Sequence, residues 1–209
     1  LEVLSAQPHN REAASGLAAV LVATGRSKEA RRFVANVPEA GAVMRPQDIA
    51  RREAAALADR ARVAVNRNDT KGAIALYRDA MARDPGNPWF KLDFARLMLR
   101  MGDSAGADRL INTMAAAPNA SAETYAAAAI WYGERGDYQR ASDLAKRVPS
   151  TTAIADFGTM SHQWIASADA RRAIALARHG RLAEAHQILD GIIAGANGNI
   201  GVVGVAADA

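Results

Sequence analysis

Residues 57–85 read LADRARVAVNRNDTKGAIALYRDAMARDP, and the fold class can be predicted from this stretch. Two runs rich in the strong helix formers Ala, Leu and Arg flank a polar turn at Asn68-Asp69. Ala73 and Tyr77 are four residues apart, so they lie on one face of the second helix. The small residue allows another helix to approach, and the larger one fills the gap beside it. The stretch therefore predicts a hairpin of two packed helices.

The same turn recurs along the chain at intervals of 43, 34, 34 and 44 residues. Its five occurrences are Gly25-Arg26, Asn68-Asp69, Gly102-Asp103, Gly136-Asp137 and Gly180-Arg181. An alanine follows each turn at a fixed offset, at Ala30, Ala73, Ala107, Ala141 and Ala185. The positions four later are Val34, Tyr77, Ile111, Ala145 and Leu189. One such hairpin cannot bury its apolar faces alone, so neighbouring hairpins are expected to stack and complete the core.

The composition is that of an all-α protein and excludes several other classes. Of 209 residues, 50% are hydrophobic and only 5% aromatic, and no alternating apolar and polar run of strand length is present. The absence of cysteine excludes disulfide scaffolds and thiolate metal sites. A net charge of +4, dispersed along the chain, does not indicate nucleic-acid binding. No apolar run approaches the roughly 18 residues of a membrane span, so no membrane insertion is predicted.

This arrangement resembles the tetratricopeptide repeat, whose pattern is W-x2-L-G-x2-Y, then A-x3-F, then P over 34 residues. The best match is 57–85, although Arg60 and Ala61 stand where leucine and glycine are expected. The resemblance implies a solenoid, a right-handed superhelix of about five helical hairpins. We predict repeats at 8–38, 49–86, 87–120, 121–150 and 164–197, followed by a truncated next helix at 198–209.

The two longer intervals place extra chain at 39–48 and 151–163, in each case just after a proline. Because the curvature of a solenoid depends on a constant rotation per repeat, each insertion predicts a local bend or hinge. A longer first helix without a change of direction is the alternative, and the sequence favours neither. The hinge candidates are Pro38, Gly41, Pro149 and Gly158.

A narrower resemblance begins at residues 84–102, DPGNPWFKLDFARLMLRMG. They resemble the D-P-x-N-P-W-x-R-L-D-L-A-R-L-x-L-x-x-G segment of the bacterial cellulose synthase operon protein C family. Residues 10–18, NREAASGLA, resemble that family's N-x-E-A-L-x-G-L-A element. The resemblance to the repeat class covers most of the chain, whereas this narrower match covers about thirty residues.

The narrower resemblance implies a periplasmic region of a longer outer-membrane protein. The chain would be a non-enzymatic scaffold that links an inner-membrane synthase to an outer-membrane pore in cellulose export. Its partners would be other proteins of the cellulose synthase and export complex, with β-1,4-glucan or peptidoglycan as further contacts. Two alternatives remain open: a glucan-binding guide for the exported polymer, and a generic cytoplasmic peptide-binding repeat protein. None of the three requires a cofactor.

The first helix of each hairpin lines the concave groove of such a stack, and its polar side supplies candidate binding residues. The predicted groove residues are Arg62, Trp89, Arg96, Arg100 and Arg178. Guanidinium groups can bind an acidic peptide or a terminal carboxylate through paired hydrogen bonds. The alternative for the arginines is a solvated helix face with acidic partners nearby. For Trp89 the alternatives are stacking on a sugar ring and packing against the preceding turn.

No catalytic motif is present, and the four histidines lack the spacing of a metal site. We considered two carboxylate pairs, Asp79 with Asp84 and Asp103 with Asp108, as the acid and base of a glycoside hydrolase. That chemistry needs two carboxyl groups about 5 to 9.5 Å apart in a sugar cleft. Aspartates near the turns between helices are more typical of helix capping. The sequence therefore predicts no enzymatic activity, no metal site and no cofactor.

Overall fold

A computed structural model of the chain describes residues 10–37, 40 and 45–195. Throughout these residues the regular secondary structure is helical, which confirms the all-α prediction. The chain divides into two compact units, Leu1–Gly102 and Asp103–Ala209, and each is described by itself. Among the helices of the described ranges, none combines the length and the apolar composition needed to span a membrane.

The described part of the first unit contains five helices. They are α1 (Arg11–Ala23), α2 (Ser27–Asn36), α3 (Pro46–Asn66), α4 (Thr70–Arg83) and α5 (Pro88–Arg100). The described part of the second unit contains five more, which are α6 (Ser104–Ala115), α7 (Ala122–Glu134), α8 (Tyr138–Ala145), α9 (Phe157–Arg178) and α10 (Leu182–Gly195). Consecutive helices pack as hairpins, α1 with α2 and α3 with α4 in the first unit, and α7 with α8 and α9 with α10 in the second.

Every turn predicted from the sequence has a residue in the left-handed backbone conformation. The φ angles lie between 59° and 86° at Gly25, Asn68, Gly102, Gly136 and Gly180. Glycine and asparagine tolerate this conformation, which ends a helix and reverses the chain. In four of these turns the next residue donates its N–H to a carbonyl five positions earlier, as Asp69 does to Ala64 (2.9 Å). The recurring dipeptides are therefore helix C-terminal caps.

The aspartates that follow three of these turns begin the next helix. Side chains of Asp69, Asp103 and Asp137 accept the N–H groups of Gly72, Gly106 and Arg140 at 2.9, 2.8 and 3.2 Å. Each bond satisfies a backbone donor that has no partner within the helix. For Asp103 the capping interpretation made from the sequence is confirmed.

The alanine series forms the contact face of the second helices. Ala30, Ala73, Ala107 and Ala141 are fully buried, and Ala185 is 4% exposed. Of the larger residues four positions later, Val34, Tyr77, Ile111 and Ala145 are also buried, as predicted. Leu189 is only partly buried, and it packs against the cluster of Ala166, Ala170 and Ile192.

The extra residues of the long intervals lengthen the first helix of their hairpins. α3 has 21 residues and α9 has 22, whereas α5 and α7 have 13 each. The irregular segments predicted at 39–48 and 151–163 are therefore too long, because helix already begins at Pro46 and at Phe157. Proline at the first helical position is preorganised for helix, and burial of Phe157, 6% exposed, secures the start of α9. A change of chain direction at either place stays a prediction.

Candidate functional site

Asp93 is the centre of the arginine cluster that the sequence predicts in the first unit. Its carboxylate accepts hydrogen bonds from Arg62 Nε at 2.9 Å and from Arg96 Nη1 at 3.1 Å. Arg62 also bonds to Asp59, one turn earlier on α3. The Asp93 side chain is only 17% exposed, whereas those of Arg62 and Arg96 are 51% and 39% exposed. One shielded carboxylate on α5 thus orients two guanidinium groups that remain accessible to solvent.

The face of α5 that carries Asp93 also carries three of the predicted binding residues. Trp89, Asp93, Arg96 and Arg100 are spaced at i, i+4, i+7 and i+11, so they form one stripe along the helix. Arg100 is exposed. The stripe carries three of the five predicted groove residues, and a fourth, Arg62 of α3, is joined to it through Asp93.

A buried phenol lies close to this cluster. Tyr77 is 2% exposed, and its ring packs against Phe94 with centroids 6.2 Å apart. Burial, and then the negative charge of Asp93, raise the pKa of Tyr77 to about 12, while the nearby arginines oppose the rise. The phenol is therefore protonated over the whole physiological range, and its role is in packing, as predicted.

The charge of Arg62 is secured by its surroundings. Partial burial disfavours the cation, but the hydrogen bond and charge of Asp93, assisted by Asp59, raise the pKa of Arg62 above its ordinary value. The acidic partners foreseen in the alternative interpretation of the arginines are thus present. They pair with the guanidinium groups without covering them.

Trp89 is half-buried in the first turn of α5. Its backbone N–H donates to the side chain of Asn87, the N-cap, at 3.0 Å. The two other tryptophans, Trp131 and Trp164, are 1% and 7% exposed. Trp89 is therefore the tryptophan whose ring retains solvent access.

The remaining candidates lie elsewhere. Arg178 is exposed at the end of α9, in the second unit. Pro149 precedes α9, and its carbonyl accepts the N–H of Thr152 in a turn (2.9 Å). Gly158 lies inside the first turn of α9, where its carbonyl accepts the Ser161 hydroxyl at 2.8 Å. Pro38 and Gly41 lie outside the described residues, as does the helix predicted at 198–209.

Sequence reasoning missed a network in the second unit. Asp108, interpreted as a residue beside a turn, lies within α6 and accepts the indole N–H of Trp131 at 2.9 Å. Arg135 stands over the same indole at 4.9 Å and pairs with Asp108 at 3.4 Å. The contact between Trp131 and Arg135 could have been predicted from their i, i+4 spacing. The pairing with Asp108 could not, because 23 residues separate Asp108 from Trp131.

Arginines cover several aromatic rings in this unit. Besides Arg135 on Trp131, the pairs are Arg140 on Tyr132 at 5.2 Å, Arg147 on Tyr125 at 4.8 Å and Arg171 on Tyr138 at 4.9 Å. A guanidinium over a ring face is attracted by the π electrons and occupies the surface on which a sugar would stack. In the described ranges, no three His, Asp or Glu side chains come together in a way that could hold a metal ion.

Comparison with known proteins agrees with the repeat pattern. A tetratricopeptide repeat family model matches residues 64–130. Cellulose synthase operon protein C of Pseudomonas fluorescens (strain SBW25) is 28% identical over 189 residues, which are 90% of this chain and 15% of that protein. Cellulose synthase 2 operon protein C of Komagataeibacter xylinus is 32% identical over 163 residues, 77% of this chain and 12% of that protein.

A third relative, cellulose synthase operon protein C of Xanthomonas axonopodis pv. citri (strain 306), is 29% identical over 90% of this chain and 12% of its own length. The chain thus spans between 12% and 15% of the length of these relatives. The match to a solved structure titled "Structure of Naa15/Naa10 bound to HypK-THB" covers 99% of this chain and 30% of that chain at 19% identity, with a TM-score of 0.38. The repeating hairpins agree with the match of residues 64–130 to the tetratricopeptide repeat family, and the chain is similar over most of its length to part of cellulose synthase operon protein C.

Proposed function

We propose that the chain is a non-enzymatic protein-interaction module of a cellulose export system. In this proposal it lies in the periplasm, as part of a longer outer-membrane protein, and links the inner-membrane synthase to the outer-membrane pore. The names of the relatives support the connection with cellulose, and the repeat fold supports the interaction role. Its partners are the other proteins of the synthase and export complex.

The observation that carries the interaction role is the accessible arginine stripe on α5. Asp93 holds Arg62 and Arg96 in place, so a partner does not bear the full entropic cost of ordering these long side chains. A guanidinium group has five N–H donors, and the bonds to Asp93 use only part of this capacity. A carboxylate of the partner can therefore be bound beside Asp93. Arg178 is proposed as a further contact in the second unit.

The test is to replace Arg62, Arg96 and Arg100 together by alanine in the full-length protein of the native host. Two quantities are measured: the amount of synthase that co-purifies after crosslinking, and the cellulose secreted by the cells. We expect both to fall severalfold, while cellulose synthesis by isolated membranes is unchanged. Arg109→Ala, at an exposed position of α6, serves as the control and should leave both at the wild-type level. If the triple variant matches this control, the stripe is not the contact surface.

A glucan guide is the second candidate function, and the partial exposure of Trp89 favours it. Trp89 shares the stripe of α5 with the arginines, so a polymer chain could stack on the indole while its hydroxyl groups bond to guanidinium groups. Titration with cellohexaose, followed by two-dimensional NMR, would show localised shifts around Trp89 that disappear in Trp89→Ala. Unchanged spectra at saturating sugar would rule out direct contact with glucan and leave the scaffold role untouched.

A further inference from the structure

A second charged groove lies in the first unit, on the side of α3 opposite Arg62. Glu53, at the centre of this groove, precedes Arg62 by nine residues. At about 100° per residue, nine positions end half a turn away on the helix. The groove has a volume of about 720 Å³. Its walls are the turn between α1 and α2, the start of α2, the middle of α3 and the end of α4. A space of this size can hold several residues of an extended peptide.

Positive charge dominates the lining of this groove. Its five cationic residues are Arg26, Lys28, Arg31, Arg60 and Arg83. Its two acidic residues are Glu29 and Glu53, which leaves a net charge of +3. The whole chain carries only +4. A charge excess nearly as large as that of the entire sequence is therefore concentrated at one place.

The two acidic residues hold arginines in position. The side chain of Glu53 is only 10% exposed, and it pairs with Arg31 of α2 and with Arg83 of α4, whose Nε lies 3.5 Å from Oε2. The side chains of these two arginines remain 51% and 41% exposed. Glu29 binds Arg26 through two hydrogen bonds of 2.9 and 2.7 Å. Each guanidinium keeps N–H donors for a further acceptor.

Two cations of the groove have no such partner. Lys28 and Arg60 are exposed, and neither forms an ion pair with any described residue. The groove also has an apolar floor. Leu57, which is half-buried, follows Glu53 by four residues and precedes Arg60 by three, so the three share one face of α3. Val22, 4% exposed, adds to this floor.

We propose that this groove binds an acidic linear segment of a partner protein. Carboxylates of the segment pair with Lys28, Arg60 and the guanidinium groups held by Glu53, and an apolar side chain of the segment packs on Leu57. An apolar floor stabilises a peptide that carries an apolar residue but gives nothing to a uniformly charged polyanion. The proposal goes beyond the interaction role of the α5 stripe and does not depend on cellulose export.

The experiment uses the whole chain and the fluorescein-labelled peptide Glu-Glu-Leu-Glu-Glu, with fluorescence anisotropy as the readout. At about 50 mM salt, where screening is modest, we expect saturable binding that weakens as salt is added. The double variant Lys28→Glu and Arg60→Glu should raise the Kd at least tenfold. Both residues are exposed and without ion pairs, so the variant should keep the helical circular dichroism spectrum of the parent.

The matched control makes the same change in net charge outside both this groove and the α5 stripe, by Arg109→Glu with Lys146→Glu. Both positions are exposed and lie in the second unit, and the control should leave the Kd within twofold of the parent value. A second comparison replaces the leucine of the peptide by glutamate, which should weaken binding severalfold despite the added charge.

Three results would overturn the proposal. The first is the absence of peptide binding at millimolar concentration. The second is an equal effect of the groove variant and its control, because the attraction would then reside in net charge alone. The third is equal or tighter binding of pentaglutamate or of inorganic polyphosphate, because the groove would then select anions without regard to the apolar residue.

Discussion

Replacing Gly133 by alanine should lower the free energy of unfolding of the second unit, because the indole of Trp164 occupies the space of the missing side chain. A Cβ atom at Gly133 would lie 2.3 Å from Cε2, 2.5 Å from Nε1 and 2.7 Å from Cζ2 of Trp164. Ordinary contacts of a Cβ atom are 3.4–4 Å. The two groups must therefore move apart by about 1 Å, which a close-packed interior resists.

The magnitude follows from two opposing effects. Trp164 is 7% exposed and packs edge-on against Phe157 with centroids 5.9 Å apart, so the rigid indole has little room to shift. Overpacking of this kind costs about 1–3 kcal/mol, and the rigidity of the ring favours the upper half of that range. Replacing glycine by alanine within a helix raises the free energy of unfolding by about 1 kcal/mol through helix propensity. The net destabilisation should be about 1–2 kcal/mol.

Urea unfolding followed by tryptophan fluorescence and circular dichroism measures this change. Gly191→Ala is the matched control, because Gly191 lies in α10 and a Cβ there meets no atom within 4 Å. The control should gain about 0.5–1 kcal/mol, so the two substitutions should have opposite signs. In a Trp164→Leu background, Gly133→Ala should become neutral or stabilising. If Gly133→Ala stabilises the parent chain as much as Gly191→Ala does, Trp164 does not crowd the Cβ position of residue 133.

Further predictions concern a buried hydroxyl, a phenol and a cap. Ser142 is fully buried, and its Oγ has no hydrogen-bond partner in the described structure. In urea unfolding, Ser142→Ala should therefore raise the free energy of unfolding by about 1 kcal/mol. Ser161→Ala removes the hydrogen bond to the Gly158 carbonyl and should not raise it. The pKa of Tyr77 is raised from its ordinary value of 10.0 to about 12 in the folded chain. Between pH 10 and pH 12 the phenol therefore loses its proton mainly in the unfolded chain, so the free energy of unfolding falls as the pH rises. The free energy of unfolding should fall by about 2–3 kcal/mol over this range. Unfolding curves of Tyr77→Phe, measured between pH 9 and 12, should show a correspondingly smaller fall. Asp137→Ala removes the cap of α8 and should cost about 1 kcal/mol, seen as a lower Tm, while a gain in Tm would show that the bond to the Arg140 N–H contributes nothing.

Local physics explains why most of the fold could be predicted. The turn dipeptides end a helix wherever they occur, because the backbone of glycine or asparagine accepts the left-handed conformation that most residues avoid. The spacing of four between Ala73 and Tyr77 places both on one face whatever surrounds the helix. The predicted starts of the helices that follow the long intervals were wrong by several residues. The repeat pattern does not contain the extra turns with which α3 and α9 begin.

The all-α class, the hairpin period, the buried alanine faces and the candidate arginines could be predicted from the sequence, since each depends on residues within one helix or one turn. Which charges meet across helices, in contrast, depends on how the helices pack against one another. Asp93 lies 31 residues from Arg62, and Glu53 lies 22 residues from Arg31, so no local pattern reveals that one shielded carboxylate holds two guanidinium groups in either cluster. The close approach of Gly133 and Trp164 is decided in the same way. Helix periodicity orients a side chain about its own axis, but the neighbour that it meets depends on how two helices distant in sequence pack together.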